Sequence, residues 1–382
     1  MTIEQAATED SRLRIMHGGP FHDLMAALGL RHRAWRGFVL GSVCWLIPLF
    51  LLMATGDGNL ARQFLHDWGA WAKFLIAPVL FTLTEKPIGF AIDECTAILF
   101  RTPLIASQSM EEARRGLEQA RDRTIAWLPE VVCVVLAVAA SIFNFQRFES
   151  GFAPDWASSA AGLNLAGLWC VVVSNSLYWF LLARLIWKHI IWARFLSSTA
   201  GCRLRLAITH PDGHAGLGFI SLYPAGYALF TLGFSAVVAA GIGHVMQRET
   251  VTPTLFTAVC GMWLVVVFVY FAFPIAGFTR EIARLKRRAV LLSMAKATDF
   301  ERKTERSLMG ENIFEDDSEP NAEELRDVKP LYQASVKTSA LLINKHNVLP
   351  ILAPALLPLL VVGASYLSYS QLGPIVRRLL FL

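Results

Sequence analysis

Charge is scarce in this chain: Asp, Glu, Lys and Arg make up 17% of its 382 residues, whereas a soluble domain has about 25%. Its six cysteines form no C-x-x-C pair and are typical of small buried apolar residues, so neither a disulfide framework nor a zinc site is indicated. The first 30 residues contain no short apolar core followed by a cleavage site. We therefore expect no removable signal peptide, and we expect the first span to act as an uncleaved anchor.

Familiar catalytic and cofactor motifs are also missing. The chain has no Walker loop, no dinucleotide-binding glycine fingerprint, no H-E-x-x-H and no G-x-S-x-G elbow. Its net charge of +5 is spread over several loops, and no compact basic face with interleaved aromatic residues appears outside the apolar stretches. We therefore expect no cofactor and no nucleic-acid partner, and the sequence leans away from an enzyme.

Long apolar stretches dominate what is present, because 54% of the residues are hydrophobic. A helix of about 20 apolar residues crosses a hydrocarbon layer of about 30 Å, and in lipid each backbone polar group must be paired within its own segment. The sequence therefore predicts an all-α protein, a polytopic transmembrane helical bundle of six or seven spans with helical cytoplasmic segments. The predicted spans are 37–54, 70–84, 127–146, 165–187, 222–245, 255–278 and 349–368.

Basic residues flank the predicted spans on alternate sides. Arg31, Arg33 and Arg36 directly precede the first span, and two further basic clusters follow the fourth and the sixth spans. Because positive charge marks the cytoplasmic side of a membrane protein, this pattern predicts a cytoplasmic N-terminus. The loops between the clusters fit that alternation for six spans.

The same pattern suggests four regions along the chain. In the last apolar segment Pro350, Pro354 and Pro358 lie on one face of the helix, which predicts a bend. We favour a full crossing of the membrane by this segment, and the alternative is that it dips into the membrane and returns. We expect the soluble insert to pack as helices on the cytoplasmic face, with an acidic linker at 311–327. The regions are a cytoplasmic tail at 1–36, a bundle at 37–278, a cytoplasmic helical insert at 279–347 and a C-terminal hydrophobic span with a short tail at 348–382.

Two local features predict where helices end or continue. Glu85, Lys86 and Pro87 follow the second predicted span, and the proline and the two charges oppose a continuous apolar helix, so we expect a break or kink there. The segment 107–123 alternates acidic and basic residues at helical spacing, which predicts a solvated helix. We expect that helix to run without a break into the third span.

A few polar side chains lie within the apolar stretches. A charge near the bilayer centre costs about 2.5–3.5 kcal/mol on insertion scales, so such groups should face one another or water. Glu85, Glu130, Asn175 and Arg184 are the candidates for a polar intramembrane site, with Arg184 paired to Glu130 or Glu85 near the cytoplasmic surface. The competing interpretation is that each group lies near a helix end, or joins two helices without further function.

A second group of polar residues follows the basic exit of the fourth span. His210, Asp212 and His214 alternate along the chain, and side chains at alternate positions of an extended segment point the same way, so the three could hold one divalent metal ion. The alternative is a turn built on Pro-Asp-Gly with Asp212 or Thr209 as a helix cap.

The segment 210–219 resembles the His-Pro-Asp…Gly-Leu-Gly-Phe signature of a family of bacterial multi-pass inner-membrane proteins. The similarity extends to 74–85, an apolar run that ends on a glutamate, and to the basic helix around 184–195. This chain departs from the pattern at Gly213-His214-Ala215, which disfavours His214 as a ligand. The resemblance implies a bacterial cytoplasmic (inner) membrane location and implies no particular activity.

Together these features predict an integral membrane protein of transport or pore type, with a polar site at the cytoplasmic mouth of the bundle. Its expected partners are the lipid bilayer and an unknown small solute or ion, and a homo-oligomer is left open. One alternative is a membrane-embedded metal-dependent enzyme that uses His210, Asp212 and His214. Another is a signalling or scaffold protein that acts through the insert at 279–347.

Overall fold

The computed structural model describes residues 13–159, 162–249, 251–312, 327–342 and 345–380. Most of the described chain is helical, and its two-stranded antiparallel sheet pairs Ser158–Ser159 with Gly162–Leu163. The predicted all-α class is therefore confirmed. The helical segments are Pro20–Ala27, Arg33–Ala54, Gly58–His66, Trp68–Ala70, Trp71–Ile76, Ala77–Leu83, Glu85–Arg101, Ser107–Ser109, Met110–Ile125, Trp127–Arg147, Phe148–Phe152, Asp155–Ala157, Leu165–Trp169, Cys170–Ser174, Asn175–Ala200, Gly218–Tyr227, Ala228–Arg248, Pro253–Met309, Lys329–Lys337, Lys345–Tyr366 and Tyr369–Leu380.

Seven helical stretches of the described chain are long and apolar enough to cross a membrane, and we call them spans 1 to 7. Their outward-facing surface is apolar, as the exposed Val135, Leu136 and Phe143 of span 3 illustrate. An apolar surface of this extent is unfavourable in water and suited to lipid, so the chain is an integral membrane protein. The spans are Arg33–Ala54, Trp68–Arg101, Trp127–Phe152, Leu165–Ala200, Gly218–Arg248, Pro253–Met309 and Leu349–Tyr366.

Span 4 lies at the centre of the bundle. Half of the residues in its most apolar stretch are buried, which is the highest share among the seven spans. The cause is that span 4 packs against spans 2, 3 and 6. Span 5 packs against spans 2 and 7 and completes the core. Close packing depends on small residues: a Cβ added at Gly226 would lie 2.8 Å from the carbonyl oxygen of Pro87, which holds the start of span 5 against span 2.

Span 2 is longer than the prediction of 70–84. The expected break at Glu85-Lys86-Pro87 is only a local interruption at Thr84, whose amide bonds to the carbonyl of Leu80 at 2.9 Å. A new helix, Glu85–Arg101, follows directly. Pro87 lies in the first turn of this helix. Backbone N–H groups in a first turn have no partner within the helix, so the missing N–H of proline costs no hydrogen bond there.

The charged helix expected at 107–123 does not run unbroken into span 3, so that expectation was wrong. Met110–Ile125 ends before Ala126, whose backbone is extended with ψ 140°, and a new helix begins at Trp127. The cause is Pro129, because in a continuous helix its ring would clash with the carbonyl of Ile125, four residues earlier.

Two predicted boundaries fall inside packed structure. The helix Pro253–Met309 is 57 residues long, so it runs past the expected border at 278, and it ends at Gly310, whose φ of +83° is the left-handed conformation of a helix stop. Near the N-terminus, Ile15 and Phe21 are buried in the main core, so part of the predicted tail belongs to the bundle. Most of the predicted acidic linker, 313–326, lies outside the described residues.

The C-terminal apolar segment forms one helix, Lys345–Tyr366, with Pro350, Pro354 and Pro358 inside it. Its stretch from Leu349 to Tyr366 is long and apolar enough to cross a membrane. This length agrees with the favoured full crossing rather than a dip and return.

Candidate functional site

A buried cluster of charged side chains lies in the half of the bundle where spans 1 and 3 begin. Arg184 of span 4 is at its centre and is 3% exposed. Its guanidinium forms an ion pair with Glu85 of span 2, and its Nε donates to Oε1 of Glu130 of span 3 at 3.0 Å. The structure thus brings together three of the four predicted site residues.

Two further cations belong to this charged cluster, which we define as Arg36, Glu85, Glu130, Arg184 and Lys188. Arg36 is fully buried, and its Nη1 lies 3.3 Å from Oε2 of Glu85. The Nζ of Lys188 lies 3.9 Å from the other oxygen, Oε1, of Glu85. Three cations therefore surround two carboxylates, and all five are held by spans 1 to 4.

Sequence reasoning missed Arg36 and Lys188 for different reasons. Arg36 stands in a run of three arginines before span 1, so it was interpreted only as a topology signal. Lys188 follows Arg184 by four residues, which places both on one helical face. That spacing was a usable signal, because a second cation one turn from a predicted ion pair can reach the same carboxylate.

The N-terminal segment 15–27 covers the cluster. The carboxylate of Glu130 lies at the N-terminus of the helix Pro20–Ala27, where its Oε2 accepts a hydrogen bond from the amide of Phe21 at 2.6 Å. A carboxylate at a helix N-terminus pairs a free N–H and complements the helix dipole. The ring of Phe21 also lies 4.9 Å from the Arg184 guanidinium, at cation–π distance. Glu130 thus joins the cluster to its cover.

A histidine lies next to the cluster on this cover. His22 Nδ1 is 3.5 Å from Nη2 of Arg36. Partial burial lowers the pKa of His22, and the charge of Arg36 lowers it further. His22 therefore stays neutral near pH 7 and adds no further positive charge to the cluster.

Asn175, the fourth predicted site residue, is not part of the charged cluster. It precedes Arg184 by nine residues on the same span, a rise of about 14 Å along the helix. Its Nδ2 donates to Ser141 of span 3 at 2.9 Å, and Ser141 lies 2.8 Å from the hydroxyl of Ser176. These bonds join spans 3 and 4 in the apolar interior.

The residues His210, Asp212 and His214 form a turn in the described structure. Asp212 accepts hydrogen bonds from the amides of His214, Gly216 and Gly218, at 2.8 to 3.1 Å. His214 Nδ1 lies 3.2 Å from the carbonyl oxygen of Ser339. Within the described ranges, no three His, Cys, Asp or Glu side chains form a group that could hold a metal ion. The geometry therefore favours the turn over the metal site, but neither Asp212 nor Thr209 occupies the helix-cap position, because the next helix, Gly218–Tyr227, has Leu217 as its N-cap.

The carboxylate of Asp212 is held ionised by these bonds. Burial alone would raise the pKa of Asp212, but the hydrogen bonds from the amides of His214, Gly218 and Gly216 outweigh it and keep that pKa below its ordinary value. The backbone around it takes left-handed conformations at Gly213, Ala215 and Gly216. One side chain thus fixes an unusual loop.

Replacing Asp212 by Ala is expected to loosen this loop, because three amides lose their acceptor at a cost of about 1–3 kcal/mol. Hydrogen exchange measured by mass spectrometry should show faster exchange in peptides that cover 212–218. Asp122→Ala, a change at an exposed carboxylate on the helix Met110–Ile125, is the matched control and should leave that exchange unchanged. Unchanged protection of the loop in Asp212→Ala would contradict the assignment of Asp212 as its organiser.

Comparison of the chain with protein-family models, with curated proteins and with solved structures found no match. The resemblance noted at 210–219 accordingly stays a prediction.

Proposed function

We propose that this protein moves a small solute or ion across the bacterial cytoplasmic membrane, with its N-terminus in the cytoplasm. The observation that carries the proposal is the charged cluster, because it joins four spans around five charges, three of them buried, beneath the segment 15–27. Buried ionisable groups in a membrane bundle are costly, and they commonly mark solute or ion pathways. The basic residues before span 1 and after spans 4 and 6 support the cytoplasmic placement of this end.

In this proposal the cluster and its cover form the cytoplasmic gate. The segment 15–27 closes the end of the bundle, and its main polar attachments are to Glu130 and to Asp93. The amide of Ile15 donates to Oδ1 of Asp93 at 3.3 Å, and His17 Nε2 lies 2.7 Å from Oδ2 of the same residue. The cover is also held by the burial of Ile15 and Phe21 in the main core, so opening requires that these apolar contacts and the polar bonds be released together. Release of the cover would bring Arg184, Glu85 and Lys188 into contact with cytoplasmic water.

The gate predicts a gain of flux when Glu130 is replaced by Gln. The amide of Phe21 then keeps only a neutral acceptor, and a neutral hydrogen bond is worth about 1 kcal/mol less than a bond to a charged group, so the open state should gain about fivefold in population. We expect purified protein in proteoliposomes to release trapped chloride, nitrate, potassium or a small organic acid faster as Glu130→Gln than as wild type. Stopped-flow dyes and tracer efflux measure these rates.

Glu118→Gln is the matched control, because Glu118 is an exposed carboxylate on the cytoplasmic helix Met110–Ile125 and should leave the rate unchanged. If wild type and Glu130→Gln both fail to move every solute in a broad panel, the transport proposal is wrong. If flux occurs but is equal in the two proteins, transport stands and Glu130 is not part of its gate.

A further inference from the structure

A large cavity lies at the opposite end of the bundle from the charged cluster. Its volume is about 650 Å³, within the range of about 300–1,000 Å³ typical of small-molecule pockets. Its lining comes from the start of span 2, the end of span 3 and the end of span 5. Lys73 on span 2 precedes Glu85 by twelve residues, so the two ends are about 18 Å apart along that helix. The polar lining residues are Asp67, Lys73, Asn144, Arg147, His244, Arg248 and Glu249.

The cavity carries more positive than negative charge. Lys73, Arg147 and Arg248 line it, and in the described part of the chain no carboxylate lies within ion-pair distance of any of the three. Two carboxylates, Asp67 and Glu249, line the same space. Three cations therefore face two carboxylates before His244 is considered.

Asp67 forms hydrogen bonds with neighbouring residues and does not pair with Lys73, Arg147 or Arg248. Its Oδ1 accepts from the amide of Gly69 at 2.7 Å and lies 3.2 Å from Nε2 of His244, and its Oδ2 accepts from Nε1 of Trp156 at 2.8 Å. Glu249 is exposed at the end of span 5. The uncompensated positive charge of the cavity is thus carried by its lining cations, among them Lys73 and Arg147.

Lys73 is the cation that most needs a partner. It is only partly exposed, and it belongs to the π-helical segment Trp71–Ile76 within span 2. Its ammonium lies 5.5 Å from the ring centroid of Tyr178 and 6.0 Å from that of Phe74. An ammonium within a span is costly without a counter-charge, and π-helical segments are frequent at functional sites.

Aromatic side chains form the apolar part of the cavity wall. Phe74, Phe148 and Phe152 line it, and the Arg147 guanidinium lies 5.4 Å from the ring of Phe152. Asn144 adds an amide to the same lining. Cations beside aromatic rings match a ligand that has an anionic end and an apolar body.

We propose that this cavity binds a small organic anion, a carboxylate or phosphate ester with an apolar body, through Lys73 and Arg147. The aromatic wall contacts the body of the ligand and the two cations contact its anionic group. A free acid and the phosphate of a lipid headgroup share this chemistry, and we favour the free acid because the cavity has the volume of a small-molecule pocket. The site rests on its own residues and not on the proposed transport function.

The test is binding of benzoate and of phenyl phosphate to the full chain in phosphatidylcholine nanodiscs, measured by isothermal titration calorimetry. We expect saturable binding by wild type and at least a tenfold weaker affinity in Lys73→Gln and in Arg147→Gln. Lys296→Gln, the same change on an exposed cytoplasmic lysine, is the matched control and should bind as wild type does. Size-exclusion elution and unfolding temperature confirm that each variant is folded.

Nanodiscs that also contain phosphatidylglycerol separate the two sources of anion. Retained binding of benzoate in those discs supports a free acid as the ligand. Absence of benzoate and phenyl phosphate binding in pure phosphatidylcholine, or equal affinity in wild type and both cavity variants, overturns the proposal. Displacement of both probes by phosphatidylglycerol also overturns it, in favour of a lipid headgroup. Because the assay requires no flux, its failure leaves the proposed transport function standing.

Discussion

Replacing Arg184 by Met is expected to destabilise the protein by about 3–5 kcal/mol, because the change leaves two buried carboxylates without their shared cation. Glu85 would keep Arg36 and Lys188 nearby, at 3.3 and 3.9 Å, but Glu130 would lose its ion-pair partner in the described structure. The ring of Phe21 would also lose its cation. We expect a lower yield of folded protein and a clearly reduced unfolding temperature in detergent.

The matched control is Arg280→Met, because Arg280 is an exposed basic residue on span 6 and its replacement should change the unfolding temperature little. Adding Glu130→Gln to Arg184→Met should restore part of the lost stability, since one unpaired carboxylate is then removed. If Arg184→Met were as stable as wild type, the ion pairs of Arg184 with Glu85 and Glu130 would not stabilise the folded bundle.

The fold was largely predictable because lipid imposes a simple rule on the sequence. Apolar stretches of the right length must be helices, so spans 1, 3 and 6 were predicted with little error in their first residues. Where helices end was harder to predict, because ends depend on single residues. Pro129 interrupts the helix at Ala126, three residues before the proline. Pro87 lies in the first turn of a helix and is accompanied only by a short interruption.

The candidate site was only half predictable. Pairing of Arg184 with Glu85 or Glu130 follows from the cost of an isolated charge in lipid, and all three residues stood near predicted span ends. The bond from the amide of Phe21 to Glu130 joins residues 109 positions apart, and no local pattern indicates it. The cavity around Lys73 was missed for a related reason, because its lining is collected from the ends of three separate spans.

Asp67 provides the second large effect, at the other end of the bundle. It accepts hydrogen bonds from the amides of Gly69 and Ala70, from Nε1 of Trp156 at 2.8 Å and from His244 at 3.2 Å. Trp156 is 4% exposed, so its N–H would be left buried without an acceptor if Asp67 were removed. We expect Asp67→Ala to cost about 3 kcal/mol of stability, since such an orphaned group costs about 1–3 kcal/mol and a helix cap is lost as well.

The same prediction has a pH dependence with a definite sign. Burial raises the pKa of Asp67, but the hydrogen bonds from His244 and Trp156 and the charge of His244 outweigh it, so the pKa in the folded protein is below the ordinary value of about 4. A carboxyl group whose pKa is lowered by folding contributes stability that is fully present above its unfolded pKa and is lost as pH falls through its folded pKa. The difference in unfolding temperature between wild type and Asp67→Ala should therefore be largest between about pH 5 and the pH at which His244 loses its proton, and it should shrink under more acidic conditions.

Asp57→Ala separates this effect from the loss of an ordinary helix cap. Asp57 lies on the same side of the bundle and accepts from the amide of Asn59 at 3.0 Å in an exposed loop, so its removal should cost about 1 kcal/mol or less. Asp67→Asn should fall between wild type and Asp67→Ala, because the amide oxygen still accepts one hydrogen bond but carries no charge for His244. Equal losses in Asp57→Ala and Asp67→Ala, or a difference that does not change with pH, would show that the bonds to Trp156 and His244 do not stabilise this end of the bundle.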